Sequence, residues 1–274
     1  MSSIPSSDRQ EIVLLCELHS QTHGHERGNR CIVFKSYFVK YGSHRTLRLE
    51  CETQKYIYGL ASNDSSAPRV ARIVDYFFLE QRRAYLVMEL IDSTTSADSE
   101  DAYEKIADAL QWLRRVPVPQ GTVIGPVGGG LAHHRIFKDG KASLAFSSTQ
   151  ALQNYMNKAL QWIPKHSRPP PMDFSEDALV FTQSEMDASN FFLDSSGRIC
   201  MLDFEAIGVL PESFASSTMH MNSGRPFVHN VARYLDWPEP PHLQSMAQAA
   251  YILAMIADPT LGLDDDGNPN PHKK

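Results

Sequence analysis

The sequence predicts an α+β protein in two lobes, a small antiparallel-sheet lobe over residues 1–92 and a larger, mainly helical lobe over residues 93–274. Three observations carry this expectation. β-rich runs joined by short turns crowd the early chain, amphipathic helical stripes follow, and a late hairpin within 191–202 is bracketed by polar residues. A hydrophobic share of 42% over 274 residues is ordinary for a chain that buries a substantial core.

The elements follow in order. Residues 31–34 and 37–40 are two β-rich runs, and Lys35-Ser36 between them suits a tight hairpin in which Lys40 ends its strand. A helix is expected from about Thr46, because Glu50, Thr53, Ile57 and Leu60 recur at three- and four-residue steps, and the loop SNDSSAP ends it. Residues 84–91, AYLVMELI, read as a buried strand running into a polar Ser/Thr/Asp segment, which places the lobe boundary near Asp92.

Beyond the boundary, Tyr103, Ile106, Ala107, Leu110 and Leu113 define an amphipathic helix closed by Pro117 and Pro119. Leu152, Tyr155, Met156, Ala159, Leu160 and Ile163 define a second, which stops at Pro164. Between them GPVGGG, residues 125–130, lacks the Lys-Ser/Thr ending and the leading strand of a phosphate loop, so it reads as a structural turn. Residues 191–193 and 198–202 form a hairpin about Asp194-Ser195-Ser196-Gly197, and Leu243, Met246, Ala247, Ala250 and Leu253 mark a late helix. The tail DDDGNPNPHKK is expected not to pack.

Composition excludes several functional classes. With 26 Lys+Arg against 32 Asp+Glu the net charge is -6, which offers no basic field to a phosphate backbone, so nucleic acid is not an expected partner. The start MSSIPSSDRQ is polar and the apolar stretch 12–15 is too short for a signal or a membrane span, so a cytoplasmic location and no membrane partner are expected. Cys16, Cys31, Cys51 and Cys200 are scattered without a CxxC pair, which fits reduced core thiols.

The chemistry concentrates in residues 179–205, where Glu185, Asn190 and Asp203 interrupt apolar strands. Phosphoryl transfer needs a carboxylate beside the attacking hydroxyl, and an amide and a second carboxylate to hold Mg²⁺ against the nucleotide phosphates. Glu185, Asn190 and Asp203 suit those places. Asp187 reads as a surface-loop acid, because its spacing to Asn190 is wrong for the pattern.

QSEMDASN followed by MLDFE resembles the catalytic loop and metal motif of the aminoglycoside phosphotransferase and choline kinase-like families, HGDxxxxN and then I/V-D-W/F. The step from Glu185 to Asn190 and the place of Asp203 match, while Gln183, Ser184 and Glu185 stand where the families carry His, Gly and Asp. Upstream, FVKYGSHRTLRLECETQKYI resembles the families' lysine strand and following helix, with Lys40 and Glu50 at the paired positions. LVMELI resembles the hinge strand that offers backbone hydrogen bonds to adenine, here at Glu89 and Ile91, and APRV at 67–70 resembles the entry to the strand before it. GPVGGG, NFFLD and LPESF are similar to segments of fungal members of this superfamily.

The resemblance implies a bilobal protein-kinase-like fold, with ATP and Mg²⁺ as cofactors and a small-molecule hydroxyl as acceptor. It places Lys40 on the phosphates, Glu50 as its orienting partner, Glu89 and Ile91 at the adenine, Asn190 and Asp203 on the metal, and Glu185 at the acceptor. The longer Glu185 opens two alternatives, a pseudokinase that binds a nucleotide or partner and a kinase fold repurposed for other small-metabolite chemistry. Its extra methylene moves the carboxylate by about an ångström, an error that can cost ~100-fold in rate.

Overall fold

The computed structural model describes residues 3–23, 30–79, 83–221 and 224–271. The chain opens with α1 (Ser6–His23), followed by β1 (Cys31–Phe34), β2 (Tyr37–Ser43), α2 (His44–Ala61), β3 (Arg69–Val70), β4 (Ile73–Leu79) and β5 (Arg83–Glu89). Strands β1, β2, β5 and β4 lie in that order as an antiparallel sheet. Alternation along β5 explains its continuous apolar run. Tyr85 and Val87 join α1's Ile12 and Cys16 on one face, and Ala84, Leu86 and Met88 join α2's Leu47 and Cys51 on the other.

The chain then forms β6 (Ser93–Ser96), α3 (Glu100–Arg115), α4 (Thr149–Leu160), β7 (Leu179–Gln183), β8 (Phe191–Asp194), β9 (Ile199–Met201) and β10 (Ile207–Pro211). It closes with α5 (Glu212–His220), α6 (Pro226–Ala232) and α7 (Leu243–Met255). Strand β7 pairs with β10, and β9 pairs with β8 and, in parallel, with β3. One apolar core gathers α3, β7 to β10 and the end of α2; a second gathers α4, α5 and α7. The molecule is therefore α+β, with a small antiparallel sheet ahead of a mainly helical region. Among the described residues no helix is long and apolar enough to cross a membrane.

Two local expectations, on Lys40 and on the tail, need correction, and two elements, β6 and α1, carried no legible signal. Lys40 does not end its strand, because Tyr41, Gly42 and Ser43 continue the ladder against Tyr85, Ala84 and Arg83. The polar segment after Asp92 is strand β6, paired through its backbone with β8. Helix α1 was not legible, since Leu14, Leu15 and Leu18 are exposed and only Ile12 and Cys16 lie buried one turn apart.

The tail also packs, through residue 271. Asp264 Oδ1 accepts from the Asp266 and Asn268 amides, Asp265 Oδ1 accepts from the Ala145 amide, and Ser147 Oγ donates to Asp266 Oδ1. Polar residues suffice to dock a segment whose bonds are backbone and Asx-turn bonds, which composition does not reveal.

Candidate active site

Strand alternation aims Lys40. Val39 and Tyr41 are buried in the α1-side core, so Lys40 between them turns to the face that α2 covers. There its Nζ lies 2.8 Å from Glu50 Oε1, 2.7 Å from Asp203 Oδ1 and 3.9 Å from Glu205 Oε2. Three segments far apart in sequence thus meet at one ammonium group. Glu50 is almost fully buried, and its Oε2 has no hydrogen-bond partner among the described residues. Helix α2 starts cleanly, with Ser43 Oγ accepting from the Arg45 amide, which sets the register that carries Glu50 inward.

The electrostatics of the trio oppose one another. Burial disfavours the Lys40 ammonium, but Glu50 and Asp203 outweigh it and hold Lys40 above its usual range. Burial pushes the Glu50 carboxyl up to about 7, with Lys40 pulling it down and Asp203 pushing it further up. Carboxylate oxygens of Glu50, Asp203 and Glu205 lie within 4.8 Å of one another, an arrangement that hard cations also favour.

Asp203 sits where β9 gives way to a 3-10 turn, Phe204–Ala206, and adopts φ 54°, ψ 64°. A left-handed conformation at a residue with a side chain costs roughly 1–3 kcal/mol and persists only where its surroundings fix it. The buried Phe204 ring and the Leu202 N–H, which donates to Asn190 O at 2.9 Å, supply that fixing. Asn190 ends another 3-10 turn, Ala188–Asn190, capped by Asp187, whose Oδ1 accepts from the Ser189 amide. The buried Asn190 donates through Nδ2 to Glu185 O at 3.0 Å, which leaves Oδ1 as its acceptor atom.

Glu185 stands exposed at the end of the same loop, its amide donating to Gln183 Oε1 at 3.1 Å. Partial loss of solvation, then the charges of Asp203, Asp187 and Glu205, push its carboxyl up, and Arg225 pulls it back. Gln183 Nε2 and Ser184 Oγ are buried without partners among the described residues.

Glu89 and Ile91 stand apart from the Lys40 cluster. Glu89 ends β5 opposite Tyr37; its amide donates to Arg72 O, its Oε1 accepts from the Arg72 amide at 3.2 Å, and Arg69 Nη2 lies 3.7 Å away. Ile91 is partly buried against the α2-side core. The residue that sequence reasoning missed is Glu205, although MLDFE displayed it two positions after Asp203. His133 and Arg225 were missed as well. His133 is pushed down chiefly by burial while Glu205 and Asp203 push it up, and Arg225 acts on Glu185 and Asp187; neither carried a sequence signal.

No protein-family model and no curated protein matches the chain. Among solved structures, the aminoglycoside phosphotransferase APH(4)-Ia is similar at 10% identity and TM-score 0.53, covering 88% of this chain and 89% of that one. A thermostable mutant of the same enzyme, in ternary complex with AMP-PNP and hygromycin B, is similar at 12% identity and TM-score 0.50, covering 87% of each chain. Another ternary complex of that enzyme, with ADP and hygromycin B, is similar at 11% identity and TM-score 0.50, covering 86% of this chain and 88% of that one. At these identities the likeness is one of fold: this chain has the protein-kinase-like fold of the aminoglycoside phosphotransferases.

Proposed function

We propose that this chain is an ATP- and Mg²⁺-dependent phosphotransferase acting on a hydroxyl of a small molecule. The observation that carries the reading is the convergence of Glu50, Asp203 and Glu205 on Lys40. An ammonium group held between two carboxylates is a stable, always-charged contact for phosphate oxygens. The similar enzyme crystallised with AMP-PNP and hygromycin B supports a nucleotide and a small molecule as the two ligands.

In this reading residues 1–92 form the nucleotide-binding lobe and residues 93–274 carry the catalytic and metal loops. Lys40 holds the phosphates, Glu50 orients Lys40, and the backbone at Glu89 and Ile91 meets the adenine. The donor set fits magnesium, because Asn190 Oδ1 and the Asp203 carboxylate are hard oxygens on segments joined by the Leu202-to-Asn190 hydrogen bond. Bound there, the ion would offset negative charge on the phosphates. Glu185 receives the acceptor hydroxyl's proton as that oxygen bonds the γ-phosphorus; the bond from phosphorus to the bridging oxygen breaks, and its electron pair leaves with the diphosphate. Its raised carboxyl suits proton acceptance.

Two observations favour a second reading, a nucleotide-binding protein that transfers nothing. Lys40 takes one oxygen of Asp203 directly, and two buried polar atoms of the loop, on Gln183 and Ser184, lack partners among the described residues. Titration calorimetry with ATP, with and without magnesium, tests the shared part of both readings. Asp203→Asn is expected to weaken the magnesium-dependent part of nucleotide binding, and unchanged magnesium dependence removes Asp203 from the site.

A further inference from the structure

The segment GPVGGG has no regular structure and is nevertheless fixed along its length. Gly125 exchanges both backbone hydrogen bonds with Val209 of β10, at 2.8 and 2.7 Å. Two residues on, the Val127 amide donates at 3.1 Å to Oγ1 of Thr53, a fully buried residue of α2. The Gly129 amide donates to Pro126 O, closing the turn.

Glycine is required here for space as well as conformation. Gly125 has φ 106°, and a Cβ on it would stand 2.8 Å from Gly130 O, so a side chain would force the loop open. A Cβ on Gly128 would stand 2.0 Å from Glu52 Oε2 and one on Gly130 2.7 Å from Leu49 Cδ1, both ends of side chains that can turn aside, so the backbone clash at Gly125 is the firm one. The loop backbone therefore lies directly on Leu49, Glu52 and Thr53, the residues flanking Glu50 along α2. Its other end is paired with β10, the strand that leaves the turn bearing Asp203 and Glu205. Hydrogen bonds from this one turn thus reach both the helix of Glu50 and the strand following the acid cluster.

We infer that residues 125–130 are a strap that sets the depth of α2 so that Glu50 reaches Lys40, with Thr53 as the positioning residue that anchors it. The functional weight of the strap rests on the phosphotransferase reading, in which the Lys40–Glu50 pair orients the phosphates. Buried Thr53 is explained by it: a hydroxyl with no exposure on the face of Glu50 accepts the strap's amide. Loss of that acceptor orphans a backbone N–H and loosens α2 without touching Lys40, Glu50 or Asp203.

The test reads the Lys40–Glu50 pair itself. The rate at which an amine-acylating reagent modifies Lys40 is measured by peptide mass spectrometry in full-length protein. Thr53→Val and Gly125→Ala are expected to raise that rate roughly fivefold, the opening expected when one hydrogen bond is lost. Thr53→Ser keeps the acceptor and is expected to stay at the wild-type rate. Tyr155→Phe is the control, since it removes the bond from Tyr155 of α4 to Pro259 O, which involves no residue of the strap or of α2. Should Gly125→Ala not fold, the Thr53→Val and Thr53→Ser pair decides alone. A wild-type rate in Thr53→Val, or an equal rise in Tyr155→Phe, overturns the strap. ATP with magnesium is expected to slow acylation of wild-type Lys40; failure to do so overturns the phosphotransferase reading, and the Thr53 comparison still judges the strap.

Discussion

Replacing Lys40 by Met exposes how the buried pair is balanced. Lys40 is 19% exposed and Glu50 3% exposed, so the variant leaves a carboxyl in the interior with no cation beside it. Glu50 escapes by staying protonated, and the sign of the pH effect follows. In the wild type its folded value of about 7 exceeds the ordinary 4.5, so the folded state binds the extra proton and stability falls as pH rises between those values. That loss amounts to about 3 kcal/mol and then levels off above pH ~7. In Lys40→Met the carboxyl stays neutral to higher pH and the loss continues. The destabilisation relative to wild type is therefore expected to grow by about 1.4 kcal/mol per pH unit above pH ~7. Urea unfolding followed by tryptophan fluorescence at about pH 6, 7, 8 and 9 measures it. Lys40→Met/Glu50→Gln, which cannot titrate there, is expected to remove the slope. A destabilisation independent of pH, or a slope that survives Glu50→Gln, would mean that Glu50 is not the titrating group.

Two further outcomes probe the frame around the site. Asp194 is nearly buried at the β8–β9 turn, where burial raises its carboxyl but bonds from Ser196, Arg69 and the Arg198 amide outweigh it and hold it at about 2. Its contribution is present above the ordinary carboxylate value and lost as pH falls towards 2, so Asp194→Asn is expected to cost about 2 kcal/mol near neutrality and nothing below pH ~2, read by denaturant unfolding. Gly267 has φ 76°, and a Cβ there would stand 2.9 Å from Ala151 Cα and O, so Gly267→Ala is expected to cost roughly 1–3 kcal/mol in thermal unfolding. An unchanged melting temperature would contradict the packing of the tail on α4.

What the sequence disclosed depended on whether the signal was local. The α2 stripe, the β5 run and the hairpin around Asp194 were legible because burial on one or both faces writes a period into the residues. The two helices of the larger lobe were legible for the same reason, Tyr103 through Leu113 and Leu152 through Leu160 being buried. Strand β6 and the docked tail were not, because backbone pairing and Asx turns hold them and impose no apolar pattern. At the site, Lys40, Glu50, Asn190 and Asp203 were singled out through motif resemblance, and the fold brings Lys40, Glu50 and Asp203 together. The contact between Lys40 and Asp203 spans more than half the chain, and no local pattern announces it. Glu205 joined the cluster unannounced because an acid in a turn after a strand is ordinary until the fold aims it inward. The role of GPVGGG against α2 was equally hidden, since its contacts are made by missing side chains.

The proposed phosphotransfer turns on Glu185, one methylene longer than the aspartate of the families its loop resembles. The direct measurement is transfer of radiolabelled γ-phosphate from ATP to a panel of small hydroxylated molecules by wild type, Glu185→Gln and Glu185→Asp in the presence of magnesium. Measurable transfer to at least one acceptor by wild type is expected, with a fall of roughly 100-fold or more in Glu185→Gln and nucleotide affinity unchanged. Glu185→Asp distinguishes a carboxylate fitted to its own acceptor, where turnover drops, from one that overreaches, where turnover rises. Wild-type transfer indifferent to Glu185→Gln would contradict the assignment of this residue, and absence of transfer to every acceptor alongside intact nucleotide binding would contradict the enzyme.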